Sequence, residues 1–429
     1  MVSSGWTSVS LGDVVAINPK RIIRKQTVSP HVSMDAIQPF DRRISEVTKR
    51  EFRGSGSRFH NGDTLLARIT PCLENGKTAY VDSLADREVA HGSTEFIVLS
   101  GIDGVSDNLF VYYMARHPIF RDFAIKRMEG TSGRQRVPAP ALSKFKLNLP
   151  PLSEQRAIAH ILGTLDDKIE LNRKMNETLE AMARAIFQSW FVDFDPVKAK
   201  AEGRQPVGMD ADTAALFPDS FQNSPLGPIP KGWETAYLGK VTDNPRRGVS
   251  PDQIEPDTPY IALQHMPKRC IALAEWGTAD DLQSNKFEFR KGEILFGKLR
   301  PYFHKVGVAP LDGLCSTDIV VVTPRTEKWF GFVLAHVSST AFVEYTNVGS
   351  TGTKMPRTSW GEMARYAVAL PPETVAEAFT KQIRPTVGHI IASIHESRTL
   401  AEMRDTLLPK LLSGEVRVDK AETIASGSK

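Results

Sequence analysis

"LPPLSEQRAIAHILGTLDDKIELNRKMNETL" runs from Leu149 to Leu179, and "LPPETVAEAFTKQIRPTVGHIIASIHESRTL" runs from Leu370 to Leu400. Both open with Leu-Pro-Pro, both continue with helical periodicity, and Leu179 and Leu400 stand equally far from their prolines. Paired prolines cannot lie inside a helix, so each stretch reads as a helix starting just after its "LPP". Ser153 is placed as an N-cap, with Glu154 in the first turn to suit the helix dipole. Apolar residues then fall at Ile158, Leu162, Leu165 and Ile169, and again at Met175, Leu179, Met182 and Ile186. That is alternating four-three spacing with a phase slip near Asn172. The second copy gives Ile383, Val387, Ile390 and Ile394, then Leu400, Met403, Leu407 and Leu411, with its slip near Ser397. A seam this narrow suits another helix rather than a broad core. Matching seams predict that the two helices pair with each other in opposite directions. The alternative is two helices packed separately on their own domains.

The repeat extends beyond the helices, and an internal repeat dictates architecture. "GWTSVSLGDV" (Gly5 to Val14) is echoed by "GWETAYLGKV" (Gly232 to Val241). "FHNGDTLLARITP" (Phe59 to Pro71) matches "FRKGEILFGKLRP" (Phe289 to Pro301), setting Gly62 on Gly292 and Arg68 on Lys298. "STEFIVL" (Ser93 to Leu99) matches "STDIVVV" (Ser316 to Val322), and "GTSGRQRVP" (Gly130 to Pro138) corresponds to "GSTGTKMPR" (Gly349 to Arg357). The offset runs from 219, for Gly130 and Gly349, to 230, for Gly62 and Gly292, while the order of landmarks is kept.

Within each block "GDTLLARI" and "GEILFGKL" read as a turn and a buried strand, and "EFIVLS" and "DIVVVT" as β-branched strands. Asn108 to Met128 reads as one helix with Phe110, Tyr113, Met114 and Phe120 on its apolar side, and Lys328 to Thr346 as its counterpart. The expected fold class is α+β: two pseudo-symmetric mixed α/β domains joined by two long antiparallel coiled-coil helices. The expected boundaries are 1–150 for the first domain, 151–194 for the first helix, 195–231 for a Pro- and Gly-rich surface connector, 232–370 for the second domain, 371–418 for the second helix and 419–429 for a tail.

With 429 residues, 41% hydrophobic and 24% charged, the chain has the balance of a globular protein with more than one core. No run of eighteen apolar residues and no signal-peptide pattern is present, so a soluble, cytoplasmic protein without membrane contact is expected. Cys72, Cys270 and Cys315 form no CxxC pair, which argues against a disulfide framework or a zinc site. "NGKT" (Asn75 to Thr78) lacks the glycine of a phosphate loop because Pro71 stands there. "NLPP" (Asn148 to Pro151) is not an amino-methyltransferase motif, and no glycine-rich loop offers a site for S-adenosylmethionine. The histidines show no metal-ligand spacing; His60, His91, His265 and His304 read as loop or surface residues. "LDDK" (Leu165 to Lys168) reads as helix with its carboxylates in water. No catalytic residue, metal or cofactor is assigned.

The net charge is +4, and the basic excess clusters in "PKRIIRK" (Pro19 to Lys25), "DRRISEVTKREFRGSGSR" (Asp41 to Arg58) and "RDFAIKRMEGTSGRQR" (Arg121 to Arg136). Two similar basic blocks held apart suit a long polymer with spaced features, and duplex DNA repeats every ~34 Å. Arg and Lys clamp phosphates and read guanine edges. Arg68, Arg134, Arg136, Lys298 and Lys354, all at repeat landmarks, are the DNA-binding candidates. A plain surface-charge role is the competing reading for each.

The chain resembles the specificity subunits of type I restriction-modification enzymes. The stretches that carry the likeness are "LPPLSEQRAIAHILGTLDDKIELNRKMNETLEAMARAIFQSWFVDFDPV", "GPIPKGWE" and "LLPKLLSGEVRV". The resemblance implies a non-catalytic subunit with two target recognition domains, each reading half of a bipartite duplex DNA sequence, and a helical spacer between them. It implies two partner modification subunits, which bind S-adenosylmethionine and methylate adenine, and ATP-driven restriction subunits that join for cleavage. It also implies docking of the modification subunits on the helices, here around Glu154, Gln155, Asp166, Lys174, Gln382 and Arg404. The second copy reads "ETVAEAF" where the first reads "LSEQRAI", so the two docking faces are similar rather than identical. The blocks differ away from their landmarks, which predicts an asymmetric target. Two other readings stay open: an RNA- or protein-binding scaffold, whose binding would survive high salt, and a self-contained methyltransferase, which would bind S-adenosylmethionine alone.

Overall fold

The computed structural model describes residues 5–280, 282–350, 352 and 355–418. The expected tail, 419–429, lies outside them. The chain divides into two compact units, Met1–Ile169 with Thr399–Lys429, and Glu170–Arg398. Both long helices cross that division, so each unit owns part of each helix.

In the first unit the strand Thr64–Ala67 is apolar at successive positions because both of its faces are covered. It lies in a four-stranded antiparallel sheet in the order Val15–Ile17, Phe96–Gly101, Thr64–Ala67, Thr78–Tyr80. Leu66, Ile97 and Leu99 pack with Val111, Met114 and Phe120 of the helical layer. Leu65, Phe96 and Val98 point the other way, toward Val32, Phe59 and Ala90 of a second sheet. That sheet runs Thr48–Glu51, Val28–Val32, Ala90–Gly92, Ser57–Phe59.

The second unit repeats the plan. Its first sheet runs Thr242–Asp243, Ile319–Pro324, Ile294–Gly297, Val306–Val308. Ile294, Phe296, Val320 and Val322 face the helices, while Leu295, Ile319 and Val321 face Ile261, Phe289 and Cys315 of the other sheet. In both units the second sheet contains one parallel pair, Val28–Val32 with Ala90–Gly92 and Pro259–Ile261 with Gly313–Cys315.

Several local expectations are corrected. The helix expected over 108–128 is two, Asn108–Arg116 and Pro118–Ile125, because Pro118 has no amide hydrogen and starts the second behind His117. Its counterpart breaks at Ser339, which caps Thr340–Val348. The stretch 195–231, expected as a surface connector, holds the helices Asp195–Ala201 and Ala211–Ala215 and a hairpin of Phe221–Ser224 with Gly227–Pro230. Val197, Phe217 and Ile229, too sparse for any period, are buried with Trp190, Phe191 and Trp233 in the core of the second unit.

The long helices are Leu152–Phe187, of 36 residues, and Glu373–Ser413, of 41. The first begins at Leu152, which puts Ser153 inside its first turn rather than at the cap. In the first unit Ile158, Leu162 and Leu165 pack with Leu407, Leu408 and Leu411. In the second, Leu179 packs with Ile390 and Ile394, and Phe187 lies 6.4 Å from Phe379, ring to ring. Rising numbers on one helix meet falling numbers on the other, so the pairing within each unit is antiparallel.

The phase slip expected near Asn172 on the first helix is corrected. Met175 and Met182 are 41% and 56% exposed, while Asn172, Asn176 and Glu180 are buried. The four-three spacing therefore runs on through Ile169, Asn172, Asn176, Leu179 and Ala183. On the partner helix Leu400, Met403, Leu407 and Leu411 pack in the first unit's cluster, with Leu408 and the buried Arg404 beside them. Counting apolar residues alone misplaced the seam of the first helix because its middle is polar. Among the described residues no helix is long and apolar enough to cross a membrane.

Candidate nucleic-acid interface and helix faces

Arg68 follows the strand Thr64–Ala67 at the point where three segments of the first unit meet. Its amide donates to the Glu95 carbonyl at 2.9 Å, and its carbonyl accepts from Val137 at 2.9 Å. Ile69 bridges to Arg136, and Glu129 bridges to Arg136, which closes residues 129–136 into a loop. The Arg136 guanidinium grips the Glu95 carboxylate, Nε to Oε1 at 2.9 Å and Nη2 to Oε1 at 2.8 Å. That hydrogen-bonded carboxylate raises the Arg136 pKa. Arg134 is exposed at the free end of the same loop, and its carbonyl accepts from Arg136. Arg68, Arg134 and Arg136 are thus brought together, with Glu95 as the anchor.

The second unit builds the same clasp. The Lys298 amide donates to the Asp318 carbonyl at 2.9 Å, and its carbonyl accepts from Thr358 at 3.1 Å. Leu299 bridges to Arg357, whose Nε donates to the Asp318 carboxylate at 3.1 Å. Lys298 is half-buried; Lys354 lies outside the described residues. The structural register sets Arg357 opposite Arg136, an offset of 221 rather than the 219 that the landmark glycines suggested. Arg357, Glu95 and Asp318 were missed as functional residues. The acids were legible, since "STE" and "STD" carry them at one position of the repeat.

The helix residues expected to dock partners separate into two groups. Gln155 is fully buried, so its place on a docking face is corrected. Its side chain donates to the Val105 and Pro150 carbonyls and accepts from the Asp107 amide. Asp166 and Arg404 are also corrected: they are 6% exposed each and bond to one another, Arg404 Nη1 to Asp166 Oδ1 at 2.5 Å. Tyr113 donates to the other Asp166 oxygen at 2.7 Å, and Arg116 lies 4.0 Å away. Burial works to lower the Arg404 pKa, but the Asp166 and Asp405 carboxylates overcome it and hold the pKa above its usual value. Burial, then Asp166, pushes the Tyr113 hydroxyl well above its ordinary range. Of the "LDDK" carboxylates only Asp167 faces water, paired with Arg42. Glu154 is half-buried and accepts from the Trp6 indole at 2.9 Å. Lys174 and Gln382 are exposed. Two histidines expected at the surface are buried instead, His91 beside Ser29 and His304 against the Ser338 carbonyl.

Each unit thus carries a helix-and-sheet fold with an arginine-bearing loop held to a carboxylate at the same place. Residues 3–181 match the type I restriction modification DNA specificity domain. The chain is 25% identical to the type I restriction enzyme HindI specificity subunit of Haemophilus influenzae, across 96% of this chain and 100% of that one. It is 24% identical to the MjaIX specificity subunit of Methanocaldococcus jannaschii, across 74% and 71%. The crystal structure of the type-I restriction-modification S subunit from M. genitalium shares the fold, with a TM-score of 0.53 at 13% identity over 95% of this chain and 96% of that one. Residues 3–181 thus match the family's DNA specificity domain, and the chain is similar across nearly its whole length to a type I restriction enzyme specificity subunit.

Proposed function

We propose that this chain reads an asymmetric, bipartite duplex DNA target, one half-site per unit, and recruits two modification subunits through its long helices. The observation that carries the reading is the recurrence of one clasp, Glu95–Arg136 and Asp318–Arg357, beneath loops of different sequence. A repeated scaffold with unlike tips suits two unlike half-sites. Phosphate contacts position such a protein, and base contacts from the loops specify. Arg68, Arg134, Lys298 and Lys354 are the candidate DNA contacts, with Arg136 and Arg357 as loop anchors. Lys174, Gln382 and the half-buried Glu154 remain the candidate docking residues, while Gln155, Asp166 and Arg404 hold the scaffold. The helix pair serves as the spacer that fixes the gap between half-sites. Methyl transfer belongs to the modification subunits, and restriction subunits join the same assembly for cleavage.

A long-read map of methylated bases, with the gene intact and then deleted, tests this. An asymmetric bipartite adenine-methylated motif should vanish on deletion. Identical maps, with the modification partner expressed and active, would overturn the reading and favour a scaffold that binds RNA or protein.

A further inference from the structure

The second sheet of the first unit has two faces of opposite character. Val32, Ala90 and Phe59 point into the core. The register places Ser29 opposite Arg50, His31 opposite both Thr48 and His91, and Arg58 opposite His91. Residues directly opposite share a face, so Arg50, Ser29, His31, His91 and Arg58 line the outer side across all four strands. The His31 and His91 rings meet edge to face, 4.9 Å between centroids. Ser29 hydrogen-bonds His91 Nδ1 at 3.0 Å, and His31 Nδ1 is buried without a hydrogen-bond partner. Phe52 packs on His91, and the Arg58 guanidinium lies 4.9 Å above the Phe52 ring.

Over this face lies a recess of about 470 Å³ whose walls include His31, Arg50, Glu51, Arg53, Gly56 and His91. Its rim is the "RGSG" turn of Arg53 to Gly56. Gly56 has φ +108°, and a Cβ there would come within 2.4 Å of the Gly92 carbonyl oxygen, so only glycine lets this turn approach the strand. Arg50 and Arg53 are exposed, and neither forms an ion pair among the described residues. Glu51 supplies the one acidic side chain of the wall, against two guanidinium groups. Burial, then Arg50, lowers the His31 pKa. The clasp arginines Arg136 and Arg357 already hold carboxylates; Arg50 and Arg53 do not.

We infer that this recess takes one backbone phosphate of duplex DNA, held by Arg50 and Arg53 over the His31–His91 pair. The inference rests on the DNA-reading function proposed above and adds to it a contact site that positions the first unit. Guanidinium groups suit phosphate oxygens in paired, charge-assisted hydrogen bonds, and a glycine turn leaves the anion room to reach the wall.

The test uses the full chain, a duplex of random sequence, and the double variant Arg50→Gln/Arg53→Gln. Both positions are exposed, so folding is checked by an unchanged thermal midpoint. Neutralising one phosphate changes the slope of log affinity against log salt by about 0.9. The variant should therefore show a slope shallower by about that amount. Inorganic phosphate should shift the His31 and His91 imidazole resonances in the wild type and leave them unmoved in the variant. An unchanged slope overturns the inference. Imidazole shifts with phosphate but an unchanged DNA slope would mean that the recess takes a free anion instead of the backbone. A wild-type chain that binds no duplex at all would sink the DNA reading itself, and the phosphate titration would then report on the recess independently.

Discussion

The Asn172 side-chain amide donates to the Glu396 carboxylate at 2.7 Å and to the Ser397 hydroxyl at 3.3 Å. These residues mark the place on each helix where the apolar spacing gives out, and they give out together because they face one another. Asn172 is fully buried, and a polar residue inside a helix seam specifies register at a cost in stability. A slip by one turn would leave Asn172 against an apolar neighbour. The contact thus ties the sequence position of the interruption to the alignment of the pair.

Asn172→Ala removes the donor and leaves both acceptors short of it. A hydrogen bond to a charged group contributes about 1.5–3 kcal/mol, so the substitution should destabilise the second unit by about that much. Amide hydrogen exchange on the two helices around 172 and 397 measures it. Protection within about 0.5 kcal/mol of the wild type would show that the seam does not depend on this contact.

In the first unit the equivalent task falls to Asp166 and Arg404. Arg404→Met strands a buried carboxylate with Tyr113 and a distant Arg116. Breaking one side of a buried pair costs about 3–5 kcal/mol, whereas replacing both with apolar residues is often neutral. The double variant Asp166→Leu/Arg404→Met should therefore recover at least half of the loss seen in the single variant. Denaturant midpoints of the three variants check this, and additive losses would show that the two residues act separately.

The repeat, the antiparallel helices and the strands of each central sheet were legible because they rest on local signals. Leucine-proline-proline stops, a glycine turn before a doubly buried strand, and β-branched runs each carry their meaning within ten residues. What escaped was set by contacts distant in sequence. Gln155 and Asp166 look like solvent residues until Asp107, Tyr113 and Arg404 arrive to satisfy them. The seam of the first helix was misphased for the same reason: Asn172 and Asn176 are polar, and their burial is not legible from the helix alone. At the candidate interface Arg68, Arg134 and Arg136 were singled out but Arg357 and the two carboxylate anchors were not, since a carboxylate's role depends on which loop folds over it.

Glu95→Gln releases Arg136 from its anchor without removing the arginine. The pair is partly exposed, 42% for Arg136 and 24% for Glu95, so its loss should leave overall stability nearly unchanged. The effect falls on the loop 129–136. If that loop reads one half-site, discrimination there should weaken by about tenfold, within the 1–3 kcal/mol carried by one base pair, while the other half-site is read normally. Asp318→Asn should do the reverse. Methylation of duplexes mismatched in one half at a time, by the assembled modification complex, separates the two. Equal loss at both halves would rule out one reader per unit.

His336 sets an acid limit on the second unit. Its ring is buried among Phe187, Phe332 and Tyr366, and Nε2 has no partner. Burial pulls its pKa down to about 3 from the ordinary 6.5. Between those values the unfolded chain binds a proton that the folded chain refuses. Folded stability is therefore unaffected by this group above pH 6.5 and falls as pH drops below it. The loss reaches about 2 kcal/mol at pH 5, at 1.36 kcal/mol per unit. His336→Phe keeps an aromatic ring in the site and removes the titration. Its stability should exceed that of the wild type by a margin that grows as pH falls from 6.5 to 5, measured by denaturation at each pH. Parallel curves for the two proteins across that range would mean that the ring is reached by water and titrates as an ordinary histidine.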